Sequence, residues 1–326
     1  MASLFDGVNF DASLLPEELA SRHATFLAAA QRADGGFPGR RGTSDLYYTG
    51  FALRGLAMLG RLADEPAHRA AKFLRQQIGR HMSAADFFSL ATSSLLVELA
   101  TGTDVFAVAR RDRRQDVAEF FARFRRPDGG YAKTERGTSS TYQTFLVCLC
   151  KQLVGAPPDE PGPIVELIRA RQRPDGGFSE IDVGIPKGDS PIFGLSVRTG
   201  ERKLGQSPSG TNPTAAAVAV LRSLAALDDS VRDAAVKFLD GMQTGEGGLR
   251  ANTRIPVADL LSTFTGLWTL ADLGTLAAID VAAARRFVLS LEQSAGGFRA
   301  GGWDREADVE YTFYGLGARA LLSYSP

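Results

Sequence analysis

An all-α fold, with an inner ring of helices enclosed by an outer ring, is predicted by three features of the sequence. A glycine turn, Gln31-x-x-Asp34-Gly35-Gly36-Phe37, returns along the chain at a nearly constant spacing. Amphipathic stretches precede these turns. Stretches that are apolar or small almost all round follow them. A helix wet on one face belongs outside and a helix enclosed on every side belongs inside, so their alternation gives two concentric layers.

The turn recurs as Arg126 to Tyr131, Gln172 to Phe178, Gln243 to Leu249 and Gln293 to Phe298, and a copy near Arg75 to Leu96 lacks the glycines. The second glycines are separated by 94, 47, 71 and 49 residues. A period of about 48 fits if the first gap spans two units and the third holds an insertion of about 23 residues, which makes six units. The glycine pair supplies positive φ for the chain reversal without a Cβ penalty.

In chain order, residues 1–15 read as a lead-in. Pro16-Glu17-Glu18 opens the first outer helix, to about Ala30, with proline and acids suited to a first turn. Its counterparts are Pro66 to Gln77, Asp116 to Phe124, Pro163 to Gln172, Ser230 to Gln243 and Val281 to Gln293. In the last, Val281, Ala284, Phe287, Val288 and Leu291 recur at helical steps, with Arg285 and Arg286 elsewhere. The inner type is plainest in Thr214 to Leu224 and Thr263 to Leu273. Aligned on their threonines, the units read Asp45-x-x-x-Thr49, Ser140-x-x-x-Thr144, Gly210-x-x-x-Thr214, Asp259-x-x-x-Thr263 and Asp308-x-x-x-Thr312. Asp, Ser and Gly are N-cap residues, so a functional role for Asp259 or Asp308 competes with capping. The segment of about 179–210, rich in Gly, Pro and Ser, reads as an irregular insertion: a lid, a contact surface or a mobile loop. The whole chain, 1–326, reads as a single domain.

Lys plus Arg and Asp plus Glu are both 37, so no global field draws in nucleic acid or an anionic membrane. Cys148 and Cys150 are the only cysteines; they point about 200° apart on a helix and read as core thiols. With no disulfide framework, signal peptide or transmembrane run, the expected location is cytoplasmic. His23, His68 and His81 are isolated, and His23 and His68 read as outer-helix surface residues. The glycine pairs match no phosphate loop or dinucleotide fingerprint.

The units of Gln-x-x-Asp-Gly-Gly-Phe followed by Ser44-Asp45-Leu46-Tyr47-Tyr48-Thr49 resemble the prenyltransferase and squalene-cyclase repeat, and most of all the β subunits of protein prenyltransferases of the Rab geranylgeranyl type. The resemblance runs from about residue 16 to Leu322 and implies an α/α six-fold barrel, or toroid, with an apolar central cavity for an isoprenoid. It also implies a catalytic zinc, held by Asp and Cys at the fifth inner helix and His at the sixth. Here those positions carry Asp259, Leu261 and Tyr311, so no metal or other cofactor is expected. The family's diphosphate-binding residues fall at Gly210, Ser262, Thr253 and Pro256, with Arg250 and Arg254 close enough in sequence to be substrate-binding candidates. In the class II terpene cyclases of the same superfamily, an acid at an inner-helix start protonates the substrate. Glu310 is the best match, with Asp308 and then Asp259 as further catalytic candidates.

Aromatics cluster at the inner-helix starts. Tyr47, Tyr48, Tyr142 and Phe145 in the first half, and Phe264, Trp268, Tyr311, Phe313 and Tyr314 in the second, are either core or the lining of a hollow centre. A hollow would suit an isoprenoid or isoprenoid diphosphate, and the parallel helix N-termini would favour the diphosphate at one rim. Three functions follow: a prenyltransferase-like protein without the usual zinc set, a cyclase-like enzyme using Glu310 or Asp308, or a non-catalytic lipid-binding or self-associating scaffold. The partner expected is a homodimer mate or an α-subunit-like helical chain.

Overall fold

The glycine turns share a small set of hydrogen bonds, and this set explains the sequence pattern. The computed structural model describes residues 16–62, 64–106, 113–158, 160–181 and 207–323. The aspartate of the turn accepts from the second glycine: Gly36 N to Asp34 Oδ1 at 3.0 Å, Gly130 N to Asp128 Oδ1 at 3.0 Å and Gly177 N to Asp175 Oδ1 at 3.1 Å. The next backbone N–H donates to the threonine on which the units align. Phe37 N reaches Thr49 Oγ1, Phe178 N reaches Thr214 Oγ1 and Leu249 N reaches Thr263 Oγ1, each at 2.9 Å; Tyr131 with Thr144 and Phe298 with Thr312 do the same. These N–H groups are buried, so an acceptor is obligatory there. The glutamine then ties the turn to the next unit: Gln31 Nε2 donates to Pro66 O at 2.9 Å, and Gln243 Nε2 donates to Asp280 O at 2.9 Å.

The first glycine of each pair has positive φ, for example 89° at Gly176 and 95° at Gly247. It is also pressed onto the next outer helix, since a Cβ on Gly247 would lie 2.3 Å from Ala283 O. Conformation and close approach therefore both require glycine.

The described residues contain twelve α-helices. The outer ones are α1 (Glu17–Ala29), α3 (Asp64–Gln77), α5 (Arg113–Ala122), α7 (Pro161–Ala170), α9 (Asp229–Asp240) and α11 (Val281–Leu291). The inner ones are α2 (Leu46–Met58), α4 (Ala84–Thr101), α6 (Thr141–Leu153), α8 (Thr211–Ser223), α10 (Leu260–Asp272) and α12 (Val309–Ser323). Inner helices start about three residues ahead of the aligned threonine, immediately after the cap. Asp45 accepts from Tyr48 N, Ser140 from Gln143 N and Asp259 from Ser262 N, while Asp308 accepts from Tyr311 N. In the unit without glycines, Ser83 and Asp86 form a capping box at the start of α4. Two-residue ladders, such as Phe178–Ser179 with Ser209–Gly210, brace three of the turns.

Each inner helix packs on its two inner neighbours, and α12 packs on α2, so the inner ring closes. The fold is the expected all-α toroid. At the closing seam the turn of the last unit has Ala295 in place of the aspartate, and His23 of α1 takes over: Gly297 N donates to His23 Nδ1 at 3.0 Å. The sequence reading placed His23 on the surface, but it is fully buried and stacked on Phe298. Its other nitrogen meets Glu292, which is also bound by Arg22 and Arg319. Burial acts to raise the Glu292 carboxyl, but His23 and Arg319 outweigh it and hold the group down to about 2. Residues 1–15, and 182–206 of the expected insertion, lie outside the described residues.

Candidate functional site: the cavity and its acidic rim

Inside the ring lies a cavity of about 430 Å³. It runs the length of α2, from Tyr47 to Met58, about 16 Å at the helical rise. Phe88 and Leu96 of α4, Phe145, Leu149 and Leu153 of α6, and Ala215 and Ala219 of α8 continue the wall. Leu261, Phe264 and Trp268 of α10 with Phe313 and Tyr314 of α12 complete it. Its surface is overwhelmingly apolar. Phe51, Phe264, Phe313 and Tyr314 interlock, with ring centroids between 5.2 and 5.6 Å apart. Of the aromatic candidates, Tyr47, Tyr142, Phe145, Phe264, Trp268, Phe313 and Tyr314 border the cavity. Tyr48 instead packs edge-on to Tyr47 beside Gly39, and Tyr311 sits beneath Arg40.

A polar rim lies at the inner-helix starts. Glu310 accepts from Tyr47 Oη at 2.7 Å and lies 3.3 Å from Tyr314 Oη. Burial pushes its carboxyl up to about 7, against the lowering effect of the Tyr47 bond. Glu310 does not itself border the cavity; the two tyrosines stand between them. Asp308 caps α12 and accepts from Arg40 Nε at 2.8 Å, while Arg40 Nη1 donates to Asp304 at 2.9 Å. Asp259 accepts from both the backbone and the hydroxyl of Ser262, at 2.7 and 2.8 Å, and burial raises it to about 6. Asp308 and Asp259 thus act as the caps their spacing suggests.

Arg250 and Arg254 do not border the cavity: Arg250 donates to Gly241 O at the end of α9, and Arg254 is exposed. The expected anion-attracting rim is also different in kind. Asp45, Asp259 and Asp308 already satisfy first-turn N–H groups of their helices, and Glu180 accepts from Tyr142 N at 3.3 Å at the start of α6. Burial lifts Glu180 to about 6, and the fully buried Arg171 anchors its backbone carbonyl. With these carboxylates in place, the starts of α2, α6, α10 and α12 offer a diphosphate little field, whereas α8 starts at Gly210 without a side-chain cap.

The residues at the zinc positions do not fit that metal. Asp259 is engaged by Ser262, Leu261 has no donor atom, and among the described residues no three His, Cys, Asp or Glu side chains gather as a metal site. Cys148 and Cys150 are buried, and burial pushes both thiols up to about 12, away from the thiolate form.

Sequence reasoning missed Arg40, Asp304, Glu180 and Arg54. Arg54 was legible: it is the one charged residue in the apolar run Leu46–Met58, and it follows Tyr47 and Phe51 at helical steps onto the cavity face.

The model of the prenyltransferase alpha-alpha toroid domain matches residues 11–190 and 206–325. The chain belongs to this family. Among solved structures, this toroid is similar to Candida albicans protein geranylgeranyltransferase-I complexed with GGPP, with a TM-score of 0.68 and 14% identity over 93% of this chain and 91% of that one. A variant of the type II terpene cyclase MstE from Scytonema, in complex with geranylgeranyl dihydroxybenzoate, gives 0.60 and 14% over 96% and 97%. An alpha-1,6-mannanase from Salegentibacter gives 0.62 and 11% over 94% and 98%. At these identities the likeness is one of fold, and a toroid shared by transferase, cyclase and mannanase does not name a reaction. No curated protein matches the sequence. Among the described residues, no helix of the toroid is long and apolar enough to cross a membrane.

Proposed function

We propose that this toroid binds an isoprenoid chain in its central cavity, as a prenyltransferase-β-like protein that does not use the zinc-dependent cysteine chemistry of its relatives. The observation that carries the reading is the cavity wall. Aromatic and aliphatic side chains of all six inner helices border a space within the roughly 300–1,000 Å³ typical of ligand sites. A sugar would leave its hydroxyls unpaired there, whereas each CH₂ of a hydrocarbon chain gains about 0.8 kcal/mol on leaving water. The similar structures named for geranylgeranyl compounds support the same ligand class. Native mass spectrometry of the protein purified from its own host tests this: a bound isoprenoid mass is expected, and an empty or sugar-loaded chain would contradict it. The same spectrum reads oligomeric state, and so tests the expected homodimer or α-subunit-like partner.

A second reading has one observation in its favour. Glu310, held up to about 7 beside the hydroxyls of Tyr47 and Tyr314 that donate to it, would serve as the acid of a class II cyclase if one of those hydroxyls turned to give its proton to an alkene in the cavity and took a proton back from Glu310. The permanent cation of Arg54 in the same wall weighs against it, since it would raise the energy of any carbocation formed there. If Glu310→Gln leaves product formation from a supplied isoprenoid unchanged, this role is gone.

A further inference from the structure

Arg54 is the group in the cavity wall that the fold leaves unexplained. Its Nε donates to Gly50 O at 2.9 Å, one turn back on its own helix. The guanidinium lies over Phe51 at 4.3 Å and over Phe313 at 4.7 Å, so two rings fix its plane. Among the described residues neither Nη nitrogen has a hydrogen-bond or ion-pair partner, and neither is sealed off by protein. The nearby acids are engaged elsewhere: Glu310 by Tyr47 and Tyr314, and Asp272, which also borders the cavity, by Arg222. Glu310 acts on this charge only through space and no carboxylate among the described residues hydrogen-bonds it, so two aromatic faces offset only part of the cost of drawing it away from bulk water. Burial correspondingly lowers the guanidinium pKa.

We propose that the ligand of this cavity carries a carboxylate, which forms a two-pronged pair with the Nη nitrogens of Arg54 while its hydrocarbon chain lies against the apolar wall. The inference rests on the isoprenoid reading and narrows it to prenyl acids. Geometry favours one planar carboxylate over a diphosphate, because a single fork matches a single carboxylate and no second free cation borders the cavity among the described residues. Because the Arg54 side chain folds back to Gly50 O, its guanidinium lies level with that turn, three residues and about 5 Å along α2 from Tyr47.

The test compares farnesoic acid, farnesol and farnesyl diphosphate by titration calorimetry on the full chain at pH 7.5. The acid is expected to bind about tenfold or more tightly than the alcohol. In Arg54→Gln the ratio of acid to alcohol affinity should fall to about one, and a circular-dichroism spectrum and cooperative melt like those of the wild type show that the variant is folded. Should the variant not fold, high chloride on the wild type serves instead, and is expected to weaken the acid and not the alcohol. Equal binding of acid and alcohol, a preference that survives Arg54→Gln, or tighter binding of the diphosphate than the acid would each overturn the proposal. If none of the three binds, the isoprenoid reading itself fails and this inference falls with it.

Discussion

Glu310 stands two residues past the cap of α12 with its carboxyl near 7, far above the ordinary carboxylate range, and the cause is burial. A group whose folded pKa is raised holds more protons folded than unfolded. Its contribution to stability is therefore full below the unfolded value, about 4.5, and is lost as pH rises through about 7. Glu310→Gln should flatten that part of the wild-type melting-temperature profile and raise stability at pH 8. A profile that keeps its shape would show that Glu310 is not buried as described. The aligned threonines are easier still to test. Thr263→Val leaves the buried Leu249 N–H without an acceptor and should cost about 1–3 kcal/mol in denaturant unfolding, whereas Thr263→Ser should cost much less. The sequence shows that a threonine recurs but not what it holds, because its partner lies on the far side of the turn. Asp259 and Asp308 were legible as caps from spacing alone. Glu180 was not, since its contact with α6 joins residues 38 apart.

At the scale of elements, the glycine turns decide how one helix pair meets the next. Gly247 and Gly274 both have positive φ, 95° and 69°, but a Cβ at Gly274 would meet nothing within 4 Å, whereas one at Gly247 would strike Ala283 O. Alanine at Gly274 should cost only the left-handed conformation, about 1–2 kcal/mol. Alanine at Gly247 should cost roughly 2 kcal/mol more, as α11 must shift. Equal losses in denaturant titrations would mean that the close approach is not what the glycine serves. Helix type and order were legible from periodicity, because amphipathic and enclosed stretches differ in composition. Helix ends were less so: α9 stops at Asp240 and α11 at Leu291, each short of the expected glutamine; after α9 the Gln243 side chain binds the turn backbone, and after α11 it is Glu292 that pairs with Phe298 as Gln243 pairs with Leu249.

Across the whole molecule, the ring depends on its seam, where the last turn lacks its aspartate and His23 of α1 supplies the acceptor. The sequence hid this, since His23 and Gly297 are 274 positions apart and α1 alone reads as an ordinary amphipathic helix. Glu292, held down to about 2 in the fold, contributes stability above its unfolded pKa of about 4.5 that is lost as pH falls toward 2. Glu292→Gln should lower the melting temperature at pH 7 and remove most of the extra acid sensitivity. If the ring unfolds as a unit, as a single domain predicts, calorimetry should show one transition in both proteins.

The central claim is that the closed ring encloses a hollow fitted to a prenyl chain, and filling the hollow tests it most directly. Ala219, on the α8 wall, borders the cavity, and Ala219→Trp would occupy it. Calorimetric titration with farnesol should show one-to-one binding to the wild type and at least a tenfold loss in the folded variant. Farnesol binding that is absent from the wild type, or undiminished in Ala219→Trp, would contradict the account.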